Sequence, residues 1–172
     1  DLEAELRARN LPLVSLESWR PLRDFAVVGF SLQYELSFTN VLAMLDLGRI
    51  PLRSADRGEA DPIVIAGGPV AFQPEPLAPF LDAVVLGDGE EALPALLRTV
   101  RQLRADGVPR RALLDALGAL PGVYVPAAVT VAEDPATGLL VPRDAGLVRR
   151  APPIDLAAHP FPSALPVPDT EI

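Results

Sequence analysis

Two glycine-rich corners are the parts of this sequence whose residue types and spacing could support ligand binding. One closes the run IVIAGGP and the other lies within LDAVVLGDGEE. Glycine has no Cβ, so the backbone at such a corner can turn sharply or approach a ligand closely. The residues that we single out are Gly67, Gly68, Pro69, Gly87, Gly89 and Glu90. Because each corner follows a short apolar run, we expect both at the ends of buried strands, where they form one crevice.

Three apolar runs are predicted to position these corners. Residues 26–31, 63–66 and 83–86 are continuous rather than alternating, which is typical of parallel strands covered on both faces. Helical patterns follow the first and the third run, and a shorter one follows the second. This alternation predicts an α/β fold with a Rossmann-like open, mainly parallel sheet and flanking helices.

The rest of the chain divides into further segments. An apolar stripe predicts a helix that Glu90 and Glu91 open and that ends at Gly107, with Pro94 as an alternative start. A second amphipathic helix follows over 109–120. Residues 122–150 contain short β-prone runs around the turn EDPATG and predict a small β-hairpin appendage. Residues 151–172 are rich in proline and predict an extended strap or linker. The Rossmann-like domain is therefore assigned to residues 1–121.

The ordered pieces resemble a known family. The series GGP, the pair Pro74 and Glu75, and the D-x-V-V-x-G-[ED]-G-E pattern from Asp82 to Glu90 are similar to the cobalamin-binding domain of cobalamin-dependent radical S-adenosylmethionine (SAM) enzymes. The segments SLQYELSFTN and LRSADRGEADPIVIAGGP resemble one bacterial subfamily of these enzymes. In that family the Rossmann-like domain precedes a catalytic barrel, and the resemblance is best over residues 1–95.

This resemblance implies that cobalamin lies in the crevice. Ser31, Gln33 and Tyr34 resemble the family's serine-containing loop, and Ser31 would bind the nucleotide tail or, alternatively, cap the next turn. Gly67 and Gly68 would let the tail pass against the backbone, or they form a tight turn only.

The second corner has the same implied role. Gly87, Gly89 and Glu90 would face the same crevice, with Glu90 serving more as a helix-capping group than as a ligand contact. Pro74 and Glu75 are expected to fix the following short helix.

The sequence lacks the groups that the radical reaction requires. Three thiolates of a CxxxCxxC loop hold the [4Fe-4S] cluster in these enzymes, and the chain contains 0 Cys. The cluster and SAM are therefore expected in a radical SAM barrel of the same polypeptide, which is the expected partner, and this fragment alone is expected to be inactive. The only histidine, His159, lacks the DxHxxG context of a cobalt ligand and is expected to be an exposed tail residue. We expect the family's first strand and its histidine loop to lie upstream of residue 1.

Composition excludes several other functions. A net charge of -8 argues against a nucleic-acid surface, and no apolar run approaches the ~20 residues of a membrane span. We expect a cytoplasmic domain, and the sequence leaves its oligomeric state open. A P-loop lysine, a GxSxG elbow and a histidine cluster are absent from the sequence. Adjacent glutamates in GDGEE would point about 100° apart on a helix, which suits no two-carboxylate hydrolytic site.

Two hypotheses from different classes remain. The fragment is the cobalamin-binding half of a radical SAM enzyme, or it is a degenerate Rossmann-like domain that serves as a structural or protein-interaction module. An open crevice between Ser31 and Gly68 would favour the first. A crevice filled by Phe30, Tyr34 or Phe72 would favour the second.

Overall fold

The computed structural model describes residues 2–143 and 150–159 of the chain. Its helices are α1 Leu2–Ala8, α2 Phe38–Leu47, α3 Gly89–Ala105 and α4 Arg110–Gly118. Its strands are β1 Val27–Ser31, β2 Ile63–Gly67, β3 Ala83–Val85, β4 Val123–Tyr124, β5 Val131–Glu133 and β6 Leu140–Pro142. In these ranges no helix is both long enough and apolar enough to span a membrane.

The main sheet has the order β1-β2-β3-β4. The first three strands are parallel, and β4 runs antiparallel to β3. Ser31 pairs with Gly67, and Ala66 pairs with Val84, so β1, β2 and β3 end at the same side of the sheet. We call this side the carboxyl edge and the opposite side the amino edge. The mainly parallel sheet with flanking helices confirms the predicted α/β, Rossmann-like fold.

Both faces of the sheet are covered. Val64 and Ala66 of β2 enter the core under α2, whereas Ile63 and Ile65 enter the core under α3 and α4. All four residues are at most 5% exposed. Burial on both faces explains why the strand is a continuous apolar run rather than an alternating one.

Helix α3 begins and ends where the glutamates and Gly107 predict. It starts at Gly89 and contains Pro94 in its interior, so the alternative start at this proline is wrong. The buried side chains of α3 lie on both sides of the proline and hold the helix on the sheet. At the other end Gly107 has a φ of 67°, and the Val108 amide donates to the Leu103 carbonyl at 2.9 Å. This is the hydrogen bond of a glycine-terminated helix.

The hairpin predicted over 122–150 is smaller than expected. Val123 and Tyr124 are buried and pair with Val85 and Val84 in the main sheet, so they do not belong to it. A strand of two residues is too short to show a period in the sequence, so its pattern does not distinguish it from the hairpin that follows. Strands β5 and β6 form the hairpin itself, around the EDPATG turn.

Residues 151–159 are the part of the predicted strap that the structure describes, and together with Arg150 we call them the clasp. Ala151 is 5% exposed and joins the core under α3 and α4. Leu156–Ala158 form a short 3₁₀ turn where extended chain was expected. Residues 160–172 of the predicted strap lie outside the described residues, and the division into three segments stays a prediction.

Candidate functional site

The end of β1 and the loop after it carry three predicted site residues at exposed positions. These are Ser31, Gln33 and Tyr34, and the Gln33 amide donates to the Ser31 hydroxyl at 3.0 Å. Between them Leu32 is 1% exposed, and its N–H donates to the Gly67 carbonyl at 2.7 Å. The loop thus presents polar groups to solvent while its backbone stays attached to β2.

The corner after β2 packs tightly against that loop. Gly68 has a φ of 102°, and a Cβ built there would lie 2.8 Å from the Leu32 carbonyl oxygen. A Cβ at Gly67 would meet nothing closer than 3.7 Å. Pro69 begins the 3₁₀ turn that follows. Gly68 is therefore required because the Leu32 backbone lies where a side chain would be. The same backbone atoms fill the space that a ligand would need beside Gly68.

The corner after β3 is filled as well. Gly87 has a φ of 111°, and a Cβ there would lie 3.2 Å from the Ala151 nitrogen. The Ala151 N–H donates to the Leu86 carbonyl at 2.7 Å. A Cβ at Gly89 would meet nothing within 4 Å, and Glu90 is exposed in the first turn of α3. The clasp therefore closes the inner side of this corner.

A small cavity lies beside the same corner. Asp88 is at the N-cap position of α3, but its side chain makes no capping hydrogen bond and lies 3.8 Å from the Arg150 guanidinium of the clasp. The cavity, of about 180 Å³, is lined by Asp88, Glu91, Ala92, Ala95, Leu120, Pro121, Ala151, Pro152 and Ile154. It is smaller than the roughly 300–1,000 Å³ of most small-molecule sites.

In the described part of the chain, the carboxyl edge brings the predicted residues together, and backbone contacts close the space between the loop after β1 and the corner after β2. The loops after β1 and β2 are in contact, and the corner after β3 comes next along the edge. Two of the three aromatic side chains considered above do not fill the crevice, since Tyr34 is 55% and Phe72 is 53% exposed. The third, Phe30, is partly buried and packs against the core under α2. Backbone atoms of Leu32 and Ala151 occupy the space beside the glycines.

A buried charged cluster at the amino edge was not predicted. Asp82 directly precedes β3 and is 0% exposed. Its Oδ2 accepts hydrogen bonds from Arg57 at 2.9 Å and from Arg110 at 2.7 Å. The Val64 N–H also donates to Oδ2 at 2.7 Å, and the Ser54 hydroxyl donates to Oδ1 at 2.5 Å. One carboxylate thus joins two arginines, a serine and a strand.

The two arginines also bind backbone carbonyls that the sheet leaves free. Arg57 donates to the carbonyls of Pro51, Leu52 and Phe80. Arg110 donates to those of Gly58, Asp61 and Pro62. Burial lowers the pKa of Arg57, and the attraction of Asp82 opposes this shift. An acidic residue inside the apolar run LDAVV was the available signal, but its partners lie 25 and 28 residues away.

Most of the chain matches a known protein family. Residues 1–126, most of the chain, match the family described as radical SAM proteins, N-terminal. The chain belongs to this family. No curated protein and no solved structure matches it. The match ends just after β4, so the hairpin and the clasp follow the matched part of this radical SAM N-terminal domain.

A hydrogen bond explains the proline-glutamate pair of the radical SAM N-terminal domain. The Tyr124 hydroxyl of β4 donates to Glu75 Oε1 at 3.1 Å. Burial, together with the adjacent Glu75 carboxylate, raises the pKa of Tyr124 to about 12. The phenol therefore stays protonated and links the connection after β2 to the sheet.

His159 is partly buried, not an exposed tail residue as predicted. Its Nε2 lies 3.6 Å from Glu91 Oε1, because the clasp returns to the first turns of α3. Within the described ranges, no three His, Cys, Asp or Glu side chains are grouped so that they could hold a metal ion.

Proposed function

We propose that this domain is the accessory half of a radical SAM enzyme and that its carboxyl edge packs against the catalytic part of the same polypeptide. The observation that carries the proposal is a set of large apolar side chains in adjacent loops of this edge. Tyr34, Leu36 and Phe72 are 55%, 84% and 53% exposed. Aromatic and apolar residues with this exposure are typical anchors of protein interfaces.

The path of the chain supports the same surface. The clasp crosses the corner after β3 and brings His159 beside Glu91, near the start of α3. The described part of the clasp therefore ends beside the carboxyl edge, which also carries the exposed apolar residues.

The test uses the complete polypeptide and the double variant Leu36→Ser, Phe72→Ser. In the unaltered polypeptide, packing against the catalytic part should raise the unfolding temperature of this domain above that of the isolated chain. The double variant should lose most of this difference. Leu16→Ser is the matched control, because Leu16 is 87% exposed but lies before β1, away from the carboxyl edge. Equal unfolding temperatures in the isolated chain and the complete polypeptide would contradict the proposal.

Cobalamin binding at the same edge is a second candidate function. The exposed Ser31, Gln33 and Tyr34 favour it, because they resemble the family's serine-containing loop, in which Ser31 would bind the nucleotide tail. The glycine corners do not fit the group, since protein atoms occupy the space beside Gly68 and Gly87.

Cobalamin would therefore be held from the outer face of the edge, between this domain and the catalytic part. When bound, it would supply a transferable methyl group. The [4Fe-4S] cluster and SAM are assigned to the catalytic part, because this chain has 0 Cys.

Metal analysis separates the two candidates. The complete polypeptide would be purified anaerobically from cells supplied with cobalamin. About four iron atoms per chain with stoichiometric cobalt would support the cofactor role, and iron without cobalt would leave the packing role alone. A chain with neither metal would contradict both.

A further inference from the structure

The clasp packs into the corner after β3, at the carboxyl end of a parallel strand, where open α/β sheets commonly bind ligands. Leu86 follows β3, and its N–H donates to the Gly122 carbonyl at 2.7 Å. Its own carbonyl accepts the Ala151 N–H at 2.7 Å. Ala151 is 5% exposed, so its hydrogen bond to Leu86 lies in the core of the domain.

Two glycines make room for this residue. A Cβ at Gly122 would lie 2.7 Å from both the nitrogen and the Cβ of Ala151, and a Cβ at Gly87 would lie 3.2 Å from the nitrogen. Gly107 offers a comparison, because its φ of 67° is close to the 74° of Gly122 but nothing lies within 4 Å of its Cβ position. Position 122 therefore requires glycine for two reasons, the positive φ and the close approach of Ala151.

We propose that the clasp is an intramolecular cover of the ligand position at the end of β3. Ligands of open parallel sheets collect outside the carboxyl ends of the strands. Here the Leu86 carbonyl at that position is bound by Ala151, and any ligand entering between Gly87 and Gly122 must displace the clasp. This role of the clasp is separate from the packing of the carboxyl edge and requires no bound cofactor.

The remaining contacts of the clasp are weak enough to release it. Arg150 lies 3.8 Å from Asp88, and His159 lies 3.6 Å from Glu91. All four side chains are at least 31% exposed, and polar contacts between such side chains contribute little. Release would also open the 180 Å³ cavity, whose wall includes Ile154 of the clasp.

Hydrogen exchange of the Ala151 amide tests the cover in the 172-residue chain. In the unaltered chain this amide should exchange at least about 10-fold more slowly than in an unstructured peptide. Gly122→Ala should remove the protection, because the new Cβ takes the place of Ala151. Gly107→Ala introduces a similar backbone strain and should leave the Ala151 amide protected. An unprotected Ala151 amide in the unaltered chain, or one that Gly122→Ala leaves unchanged, would overturn the proposal.

A second variant keeps the test decisive if Gly122→Ala does not fold. Ala151→Asp places a charge in the buried position near Asp88 and Glu91. It should raise the exchange rate of the amide at residue 151, relative to an unstructured peptide of the same sequence, by on the order of 10-fold. Ala157→Asp is the control and should leave that amide protected, because Ala157 is an exposed residue of the clasp. Equal protection of this amide in the two variants would show that the clasp is not held at Ala151.

Discussion

The two edges of the main sheet use their polar groups in opposite ways. At the carboxyl edge Ser31 and Gln33 bind each other and remain open to solvent. At the amino edge Asp82 is fully buried and is bound by Arg57 and Arg110. The first arrangement leaves groups free for a partner. In the second, both carboxylate oxygens accept hydrogen bonds from groups inside the domain, so we interpret this charged cluster as structural.

The difference follows from what each edge must satisfy. The amino edge contains several buried carbonyls, and the arginine side chains supply the donors that they need. A buried carboxylate then balances the charge of the arginines. The carboxyl edge closes its backbone through glycine corners and needs no such side chains.

The largest effect should come from breaking the amino-edge cluster. Asp82→Asn keeps the shape of the side chain but leaves two buried arginines without their carboxylate. We expect a loss of about 3–5 kcal/mol in the free energy of unfolding, measured by urea denaturation followed by circular dichroism.

Asp88→Asn at the carboxyl edge is the matched control. Asp88 makes no capping hydrogen bond, so the expected change is below about 0.5 kcal/mol. If the two substitutions cost the same, the proposed division of roles between the edges is wrong.

The second largest loss of stability is expected at Gly68, and a comparison with Gly67 tests whether Gly68 is required by the fold. Gly68→Ala places a Cβ 2.8 Å from the Leu32 carbonyl at a positive φ, and we expect a loss of about 2–4 kcal/mol. Gly67→Ala meets nothing closer than 3.7 Å and should be tolerated. Thermal unfolding of both variants measures the difference. A stable Gly68→Ala chain would show that this corner is more open than the structure indicates.

A smaller effect is expected at the hydrogen bond between Tyr124 and Glu75. Tyr124→Phe removes one hydrogen bond and should cost about 1 kcal/mol near neutral pH. Because the folded chain raises the pKa of Tyr124 from 10.0 to about 12, its contribution is complete below pH 10 and is lost as the pH rises to about 12. Unfolding measured across this range should show the unaltered chain and Tyr124→Phe converging. Parallel curves would contradict this account.

The smallest effect on stability should come from the exposed residues of the carboxyl edge. Tyr34→Ser and Phe72→Ser remove side chains that are 55% and 53% exposed, so each should change the stability of the isolated chain by less than about 0.5 kcal/mol. Urea denaturation checks this. A loss above about 2 kcal/mol would show that these side chains serve the core of this domain and not a partner.

Local patterns revealed most of the fold and less of the site. Strands β1, β2 and β3 were predictable because each is a continuous apolar run ended by a turn. The two residues of β4 were not, because so short a segment has no period. The role of Asp82 depends on partners 25 and 28 residues away, and no local pattern carries that information. Gly68 was recognised as a special position, but only the structure shows that Leu32 fills the space beside it.

The most direct test of the packing role compares hydrogen exchange in the isolated chain and in the complete polypeptide. Deuterium uptake would be followed at residues 33–37 and 70–73 of the carboxyl edge, with residues 15–20 before β1 as the reference. We predict slower uptake at both carboxyl-edge segments in the complete polypeptide and no change at 15–20. Unchanged uptake at the carboxyl edge would contradict the claim that this edge faces the catalytic part.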